Sequence, residues 1–258
     1  MFSIVLSMFA CQSRLTTPEL EAGEVWEFEV GRAEFVEPST PNITVFANLS
    51  EIQVGDLVIT EIMHTPQQTP YDSYGEWIEL YNAGQVAIDL NGLELSSGND
   101  AGVTFSNSLL VQPGTFVLLG TRSGQNGGLT YDGLYSAGSI RHGINDDLSI
   151  GHGGMTFDTV SWTRDLDSVT DGRSFSLDGD DLDSTLNDSV YRWYAGQSVY
   201  GDGDYGTPGA ANLPLYMGDE LNAGDLVITE IMQNPVQVWD ARGEWFEVQN
   251  RTDGIVQL

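Results

Sequence analysis

The sequence has no lysine. Its nine basic residues are all arginine and face 38 aspartates and glutamates, giving a formal net charge of −29 over 258 residues. Nucleic acid is a dense polyanion, and proteins bind it by using basic side chains to release counterions. The charge therefore argues against a nucleic-acid partner. The same repulsion argues against docking on an anionic bilayer through the protein surface. Such a surface suits a soluble protein in salty surroundings, or one that collects cations.

Cysteine is almost missing: Cys11 stands alone, so no disulfide can close within the chain. No apolar run reaches the ~20 residues that a membrane-spanning helix needs. No stretch carries a 3.6-residue apolar stripe, which removes the main sign of amphipathic helix. The three histidines, His64, His142 and His152, are scattered and fit no zinc spacing. There is no G-x-S-x-G elbow. The letters "GDGDYG" at 201–206 satisfy G-x-G-x-x-G, but Thr207-Pro208-Gly209 follows where a helix should open, and Asp202 and Asp204 would repel a pyrophosphate.

What is present is β-type sequence. Short runs rich in Val, Ile, Thr, Phe, Tyr and Trp alternate with Gly, Asn, Asp and Pro: "LVITEIM" (57–63), "EWIELYN" (76–82), "GLELSS" (92–97), "GVTFS" (102–106), "TFVLLG" (115–120), "LSIG" (148–151), "TFDTVSW" (156–162), "RSFSL" (173–177) and "VYRWY" (190–194). Many short strands punctuated by turns indicate an all-β sandwich or barrel. "TFVLLG" is apolar throughout and is expected in a central position covered on both faces. Pro113-Gly114 before it suits a type II turn.

The chain also repeats itself. "GDLVITEIM" occurs at 55–63 and at 224–232, followed by "GEWIELYN" (75–82) and "GEWFEVQN" (243–250). This gives a domain plan. Residues 1–10 are a signal-like apolar segment and 11–54 a tether containing an alternating stretch, "EVWEFEVGRAEFV" (24–36), readable as a hairpin or a stalk. Residues 55–212 are a β-sandwich, 213–223 a linker, and 224–258 an incomplete second copy. A stretch of that length cannot close a sandwich, so a longer protein is the expectation. A period this long means tandem domains, not a solenoid.

The phrases "LVITEIM", "GEWIELYN", "DLNGLELSS", "QPG" then "FVLL", "DTVSW", "GRSFSL" and "GTPGAAN", in this order, resemble the lamin tail domain family. The resemblance implies an immunoglobulin-like β-sandwich. That family also occurs in several copies in secreted and surface proteins of bacteria. The stretches 121–147 and 163–200 look like loop insertions beyond a minimal sandwich. The start "MFSIVLSMFAC" resembles a bacterial lipoprotein signal, in which Cys11 would become the lipidated first residue. Ordinary secretion and an uncleaved or cytoplasmic start are the alternatives, and the missing basic residues before the apolar run would fit a start codon further upstream.

Two carboxylate groups are candidate sites. Glu61, Glu76 and Glu79 recur as Glu230, Glu244 and Glu247. They read either as fold signature, edge charges or hydrogen-bond partners that set register, or as the acid, base or metal ligands of a metal-dependent hydrolase. The first reading is preferred. The run 164–188 holds Asp165, Asp167, Asp171, Asp178, Asp180, Asp181, Asp183 and Asp188. Within it Asp178, Asp180, Asp181 and Asp183 are the candidate calcium ligands, since calcium takes six to eight hard oxygens. Leu182 breaks the EF-hand pattern, and a solvated acidic loop is the plainer reading. The six tryptophans are expected in the core or on sheet faces, with "YRWY" (191–194) the candidate for sugar stacking. The function expected is a non-catalytic binding or spacer module of a cell-surface lipoprotein. Its partner would be a surface protein or a glycan.

Overall fold

The computed structural model describes residues 46–257, apart from 99, 101, 137–145 and 163–170. All of them fall within one unit, Ile43–Leu258. Cys11, the apolar start, the stretch 24–36, Trp26, His142, Asp165 and Asp167 lie outside the described residues.

The described chain is built from strands. In order they are β1 (Phe46–Asn48), β2 (Leu57–Met63), β3 (Trp77–Asn82), β4 (Ala87–Asp89), β5 (Leu93–Ser96), β6 (Val103–Phe105), β7 (Leu110–Val111), β8 (Phe116–Gly120), β9 (Gly133–Leu134), β10 (Asp146–His152), β11 (Met155–Trp162), β12 (Phe175–Leu177), β13 (Trp193–Ala195), β14 (Val199–Tyr200), β15 (Asp204–Tyr205), β16 (Leu215–Met217), β17 (Leu226–Met232), β18 (Trp245–Asn250) and β19 (Ile255–Gln257). Two single helical turns, α1 (Asp72–Gly75) and α2 (Asp240–Gly243), precede β3 and β18.

One sheet has the order β13-β12-β2-β3-β8-β9; facing strands form a second sheet, β11-β10-β5-β6, and a small one, β1-β4-β7. Their inner faces share a core that includes Leu57, Ile59, Ile62, Ile78, Leu80, Leu93, Leu119, Leu148, Ile150, Phe157 and Trp193. This is the β-sandwich that the strand pattern allowed, of the immunoglobulin-like form that the family resemblance implied. "TFVLLG" becomes β8, beside β3, with Val117, Leu118 and Leu119 all buried. The Gln112–Thr115 turn closes with the Thr115 amide on the Gln112 carbonyl at 3.2 Å, and Gly114 takes the positive φ that a type II turn requires.

The outer face of the six-stranded sheet is covered as well. Met63, Trp77 and Leu118 form a second cluster there, under Leu129, Tyr131 and Tyr200. The Trp77 indole N–H donates to the Tyr200 hydroxyl at 3.1 Å, so the buried indole keeps a partner.

Three boundaries differ from the sequence plan. The tether ends earlier than residue 54: β1 pairs in parallel with β4, and Leu49 and Ile52 are buried in the core. The linker 213–223 contains β16, which pairs in parallel with β19 as β1 does with β4. Phe46 and Leu215 stand in equivalent places, so the repeat begins nine residues before its identical phrase. Residues 121–147 and 163–200 are not mere insertions, because they supply β9, β12 and β13 to the main sheet. β12 and β13 fall within the strand-like runs 173–177 and 190–194, whereas β1, β9 and β16 were missed because a strand of two or three residues has too little sequence to show a period.

Candidate functional site

The site begins with an irregularity in β2. The pairing of β2 with β3 shifts between Ile59 and Glu61, leaving Thr60 as an extra residue. Such a bulge re-aims side chains and disrupts the ladder. Here it sets Glu61 directly opposite Glu79 on the two central strands. Both are 0% exposed. They are therefore not edge charges, and their role as hydrogen-bond partners is what the structure retains.

Each carboxylate is surrounded by donors. Glu61 Oε1 accepts from the Ser174 and Ser176 hydroxyls at 2.5 and 2.8 Å and from the Thr207 amide at 3.0 Å. Glu79 accepts from the Thr60 hydroxyl at 2.7 Å and the Gly209 amide at 2.6 Å. The amides belong to "GTPGAAN" (206–212), which lies over the pair like a lid. Its last residue, Asn212, donates to the Thr60 carbonyl at 2.9 Å and accepts the Thr207 hydroxyl. Gly206 is needed for this closeness: a Cβ there would stand 2.8 Å from Glu61 Oε1 and 2.7 Å from Ser174 Oγ. Burial, opposed by these hydrogen bonds, pushes Glu61 up to about 7. Burial and then the neighbouring Glu61 charge raise Glu79 well above the usual carboxylate range. Two adjacent carboxyls could in principle serve as acid and base. Sealed from solvent and filled with donors, this pair instead ties the 206–212 loop to the sheet.

Glu76 is separate. It ends α1, is buried, and is raised to about 7 by burial and then by Asp72. The backbone groups of Ile59, beyond the reach of β12, are met by side chains of β11 and of the loop that follows β12. Asp158 on β11 accepts the Ile59 amide at 2.7 Å, and Asn187 donates to the Ile59 carbonyl at 3.1 Å and to Asp158 at 2.7 Å. Burial raises Asp158 to about 6. Sequence reading singled out neither residue.

The acidic run forms a joint. Asp178 is buried, accepts the Asp180 amide at 3.1 Å and the Leu215 amide at 3.0 Å, and lies 3.5 Å from Arg192. Arg192 also pairs with Asp181 at 3.0 Å. Asp183 accepts the Thr185 amide and hydroxyl at 2.7 and 2.6 Å, holding a local turn. Asp180 contributes its backbone rather than its carboxylate to these bonds. Among the described residues, no three or more His, Cys, Asp or Glu are grouped to hold a metal ion. Asp171 and Asp188 take no part in the joint; Asp188 is a charge near Asp158 and Asp171 one near His64.

The remaining candidates disperse. Burial lowers His64, which follows β2, whereas His152 closes β10 with Nδ1 2.9 Å from the Gly92 carbonyl. "GDGDYG" forms the β14–β15 turn, and buried Asp204 accepts the Gln67 and Gln68 amides at 3.0 and 3.2 Å. "YRWY" does not present a sugar platform. Trp193 stacks on Phe175 in the core at 4.3 Å between centroids, and the Tyr194 hydroxyl donates to the Leu213 carbonyl at 2.9 Å. Only Tyr191 of its aromatics is exposed.

In the second copy Glu230 pairs with Glu247 as Glu61 does with Glu79, and the Thr229 hydroxyl donates to Glu247. Both glutamates are exposed there, as are Trp239 and Trp245, against the expectation of core tryptophans.

No curated protein and no solved structure matches the chain. The family model described as Lamin Tail Domain matches residues 50–188, more than half of the sequence. That span holds the bulged hairpin, the Asp158–Asn187 brace and both faces of the sandwich, and the chain belongs to the lamin tail domain family.

Proposed function

We propose that this chain is a non-catalytic, extracytoplasmic module in which lamin-tail sandwiches stand in tandem at a cell surface, for binding or spacing, with Cys11 as the lipid attachment point. The observation that carries the reading is the joint between copies. The Gly179 amide donates to the Leu213 carbonyl at 3.1 Å, Tyr194 donates to the same carbonyl, and the Leu215 amide donates to Asp178. The first strand of the second copy is thus fastened to the first sandwich rather than hung from a free linker. A fastened joint suits a spacer that must hold its modules at a set distance.

The charge of −29 supports a protein or neutral glycan partner over a polyanion. Calcium at the acidic turn would have to compete with Arg192 for Asp178 and Asp181. Calorimetry with calcium and a chelator is expected to show at most weak binding there.

The anchoring half is tested by Cys11→Ser. Wild type should incorporate a fatty-acid label and fractionate with membranes, and the variant should do neither. Soluble, unlabelled protein in both cases would refute the lipid anchor. The spacing half is tested by small-angle scattering on wild type and Asp178→Ala. Wild type should fit a single shape, and the variant a broader distribution.

A further inference from the structure

The same surface position carries an unexplained aromatic in both copies. "YDSYGEW" (71–77) and "WDARGEW" (239–245) form the same turn, α1 and α2. The residue before each helical turn occupies the N-cap, where Ser, Thr, Asp and Asn are favoured because their oxygens cap free amides. Here it is Tyr71 and Trp239, and neither makes a side-chain cap bond. Nor is Tyr71 needed in a core: it is 65% exposed although its sandwich is complete, and Trp239 holds the same place in the second copy.

The turn that presents these rings is rigid. A Cβ on Gly75 would stand 2.5 Å from Thr69 and 2.9 Å from Pro66, and one on Gly243 would meet Val238 and Pro235 as closely, so each turn packs on its own loop. In the first copy the preceding loop is pinned by Asp204 through Gln67 and Gln68, and the Thr121 hydroxyl donates to the Ser73 carbonyl at 2.6 Å. That last bond brings Arg122 beside the turn. Its guanidinium lies 4.1 Å from the Tyr74 ring centre, and Tyr71 meets Tyr74 edge-on at 5.1 Å. In the second copy Arg242 stands where Tyr74 does, so an arginine again accompanies the exposed ring.

We infer that Tyr71 with Tyr74 and Arg122, and Trp239 with Arg242, form equivalent binding platforms for a neutral glycan. An exposed, pre-positioned aromatic face suits the C–H face of a sugar ring, and it loses little side-chain entropy on binding. The guanidinium supplies several planar donors for hydroxyls. The chain's charge of −29 repels polyanionic sugars but leaves uncharged ones unaffected. Two platforms on tandem modules fit a ligand that repeats along its own length, where linked weak sites gain avidity. The inference rests on the surface-binding reading above and says which partner class that binding takes.

The test uses the full chain and neutral hexasaccharides of glucose, mannose and N-acetylglucosamine, with hexagalacturonate as the charged control. Binding is followed by calorimetry and by tryptophan fluorescence. At least one neutral hexasaccharide is expected to bind and to perturb the emission. Tyr71→Ala and Trp239→Ala should each weaken it about tenfold, and the double variant should abolish it, with unchanged melting temperature because both rings are exposed. Tyr71→Phe should keep binding, since it keeps the stacking face. Failure of every neutral hexasaccharide, binding undiminished in the double variant, or preference for hexagalacturonate would each overturn the inference. None of these bears on the acylation of Cys11, so the two proposals fail separately.

Discussion

β2–β3 and β17–β18 share a strand sequence, LVITEIM, and nearly the same partner strand, yet they live in different surroundings. Their local structure is the same. Both hairpins carry the bulge before the glutamate, both place glutamate opposite glutamate, and both bond a threonine hydroxyl to the second glutamate. Burial separates them. Every residue of β2 is buried, whereas Ile228 is 58% and Phe246 66% exposed. The hairpin geometry, bulge included, is thus set by residues within about 25 positions of each other. The dry environment of Glu61 and Glu79 is supplied from far along the chain, by Ser174, Ser176 and the 206–212 loop.

The largest effect expected from this comparison is at the tryptophan pair. Trp77→Ala should cost about 3–5 kcal/mol, the usual range for emptying a buried aromatic site. Trp245→Ala, at a residue 44% exposed, should cost under ~1 kcal/mol in the same urea melts. Equal losses would mean that the second hairpin is covered in solution.

The glutamates come next. Glu61→Ala would leave Ser174, Ser176 and Thr207 donors without their acceptor and should cost roughly 2–3 kcal/mol. Glu230→Ala should fall within about 0.5 kcal/mol of wild type.

The pH response sharpens the same contrast. Folding raises Glu61 from 4.5 to about 7, Glu76 from 4.5 to about 7 and Asp158 from 3.8 to about 6, so the folded state holds protons that the unfolded chain releases. That contribution is fully present below about pH 4 and is lost as pH rises through 7. Melting temperature should therefore fall from pH 5 to pH 8. Glu61→Gln should flatten the fall, and Glu230→Gln should leave it unchanged.

Among the substitutions in the first sandwich, the smallest effect is at the joint. Asp178→Ala should cost about 1–2 kcal/mol through lost bonds to Asp180, Leu215 and Arg192. It should also speed proteolytic cutting within 216–223, leaving the first sandwich intact.

Much of this was legible in sequence for a physical reason: strands and turns are local. "TFVLLG" announced a covered strand, and Pro-Gly announced the turn before it. The carboxylate pair was harder to place, because "TEIM" reads alike in a buried and an exposed hairpin. Its centrality depends on β8 and β12, which pair with it from distant parts of the chain. A usable signal was present in "GTPGAAN". A glycine-rich loop with free amides is a natural cradle for a negative group. "YRWY" misled for the opposite reason. Its polar neighbours suggested a surface loop, but both residues enter β13 and are buried, Trp193 in the sandwich core and Tyr194 on the opposite face of the strand, where its hydroxyl reaches the Leu213 carbonyl. The joint was hidden because β16 is only three residues long.

The fastening of Leu213 and Leu215 has a mechanical consequence. A pull transmitted from one copy to the next enters the first sandwich at Leu213 and Leu215, through the bonds from Tyr194 and Gly179 and the bond to Asp178. These few bonds would yield before the many rungs of the main sheet, releasing a short length of slack while the sandwich stays folded. A row of such modules would stretch in small steps at its joints, and the next bonds to bear the load would be those that hold the adjoining 206–212 loop to Thr60, Glu79 and Glu61.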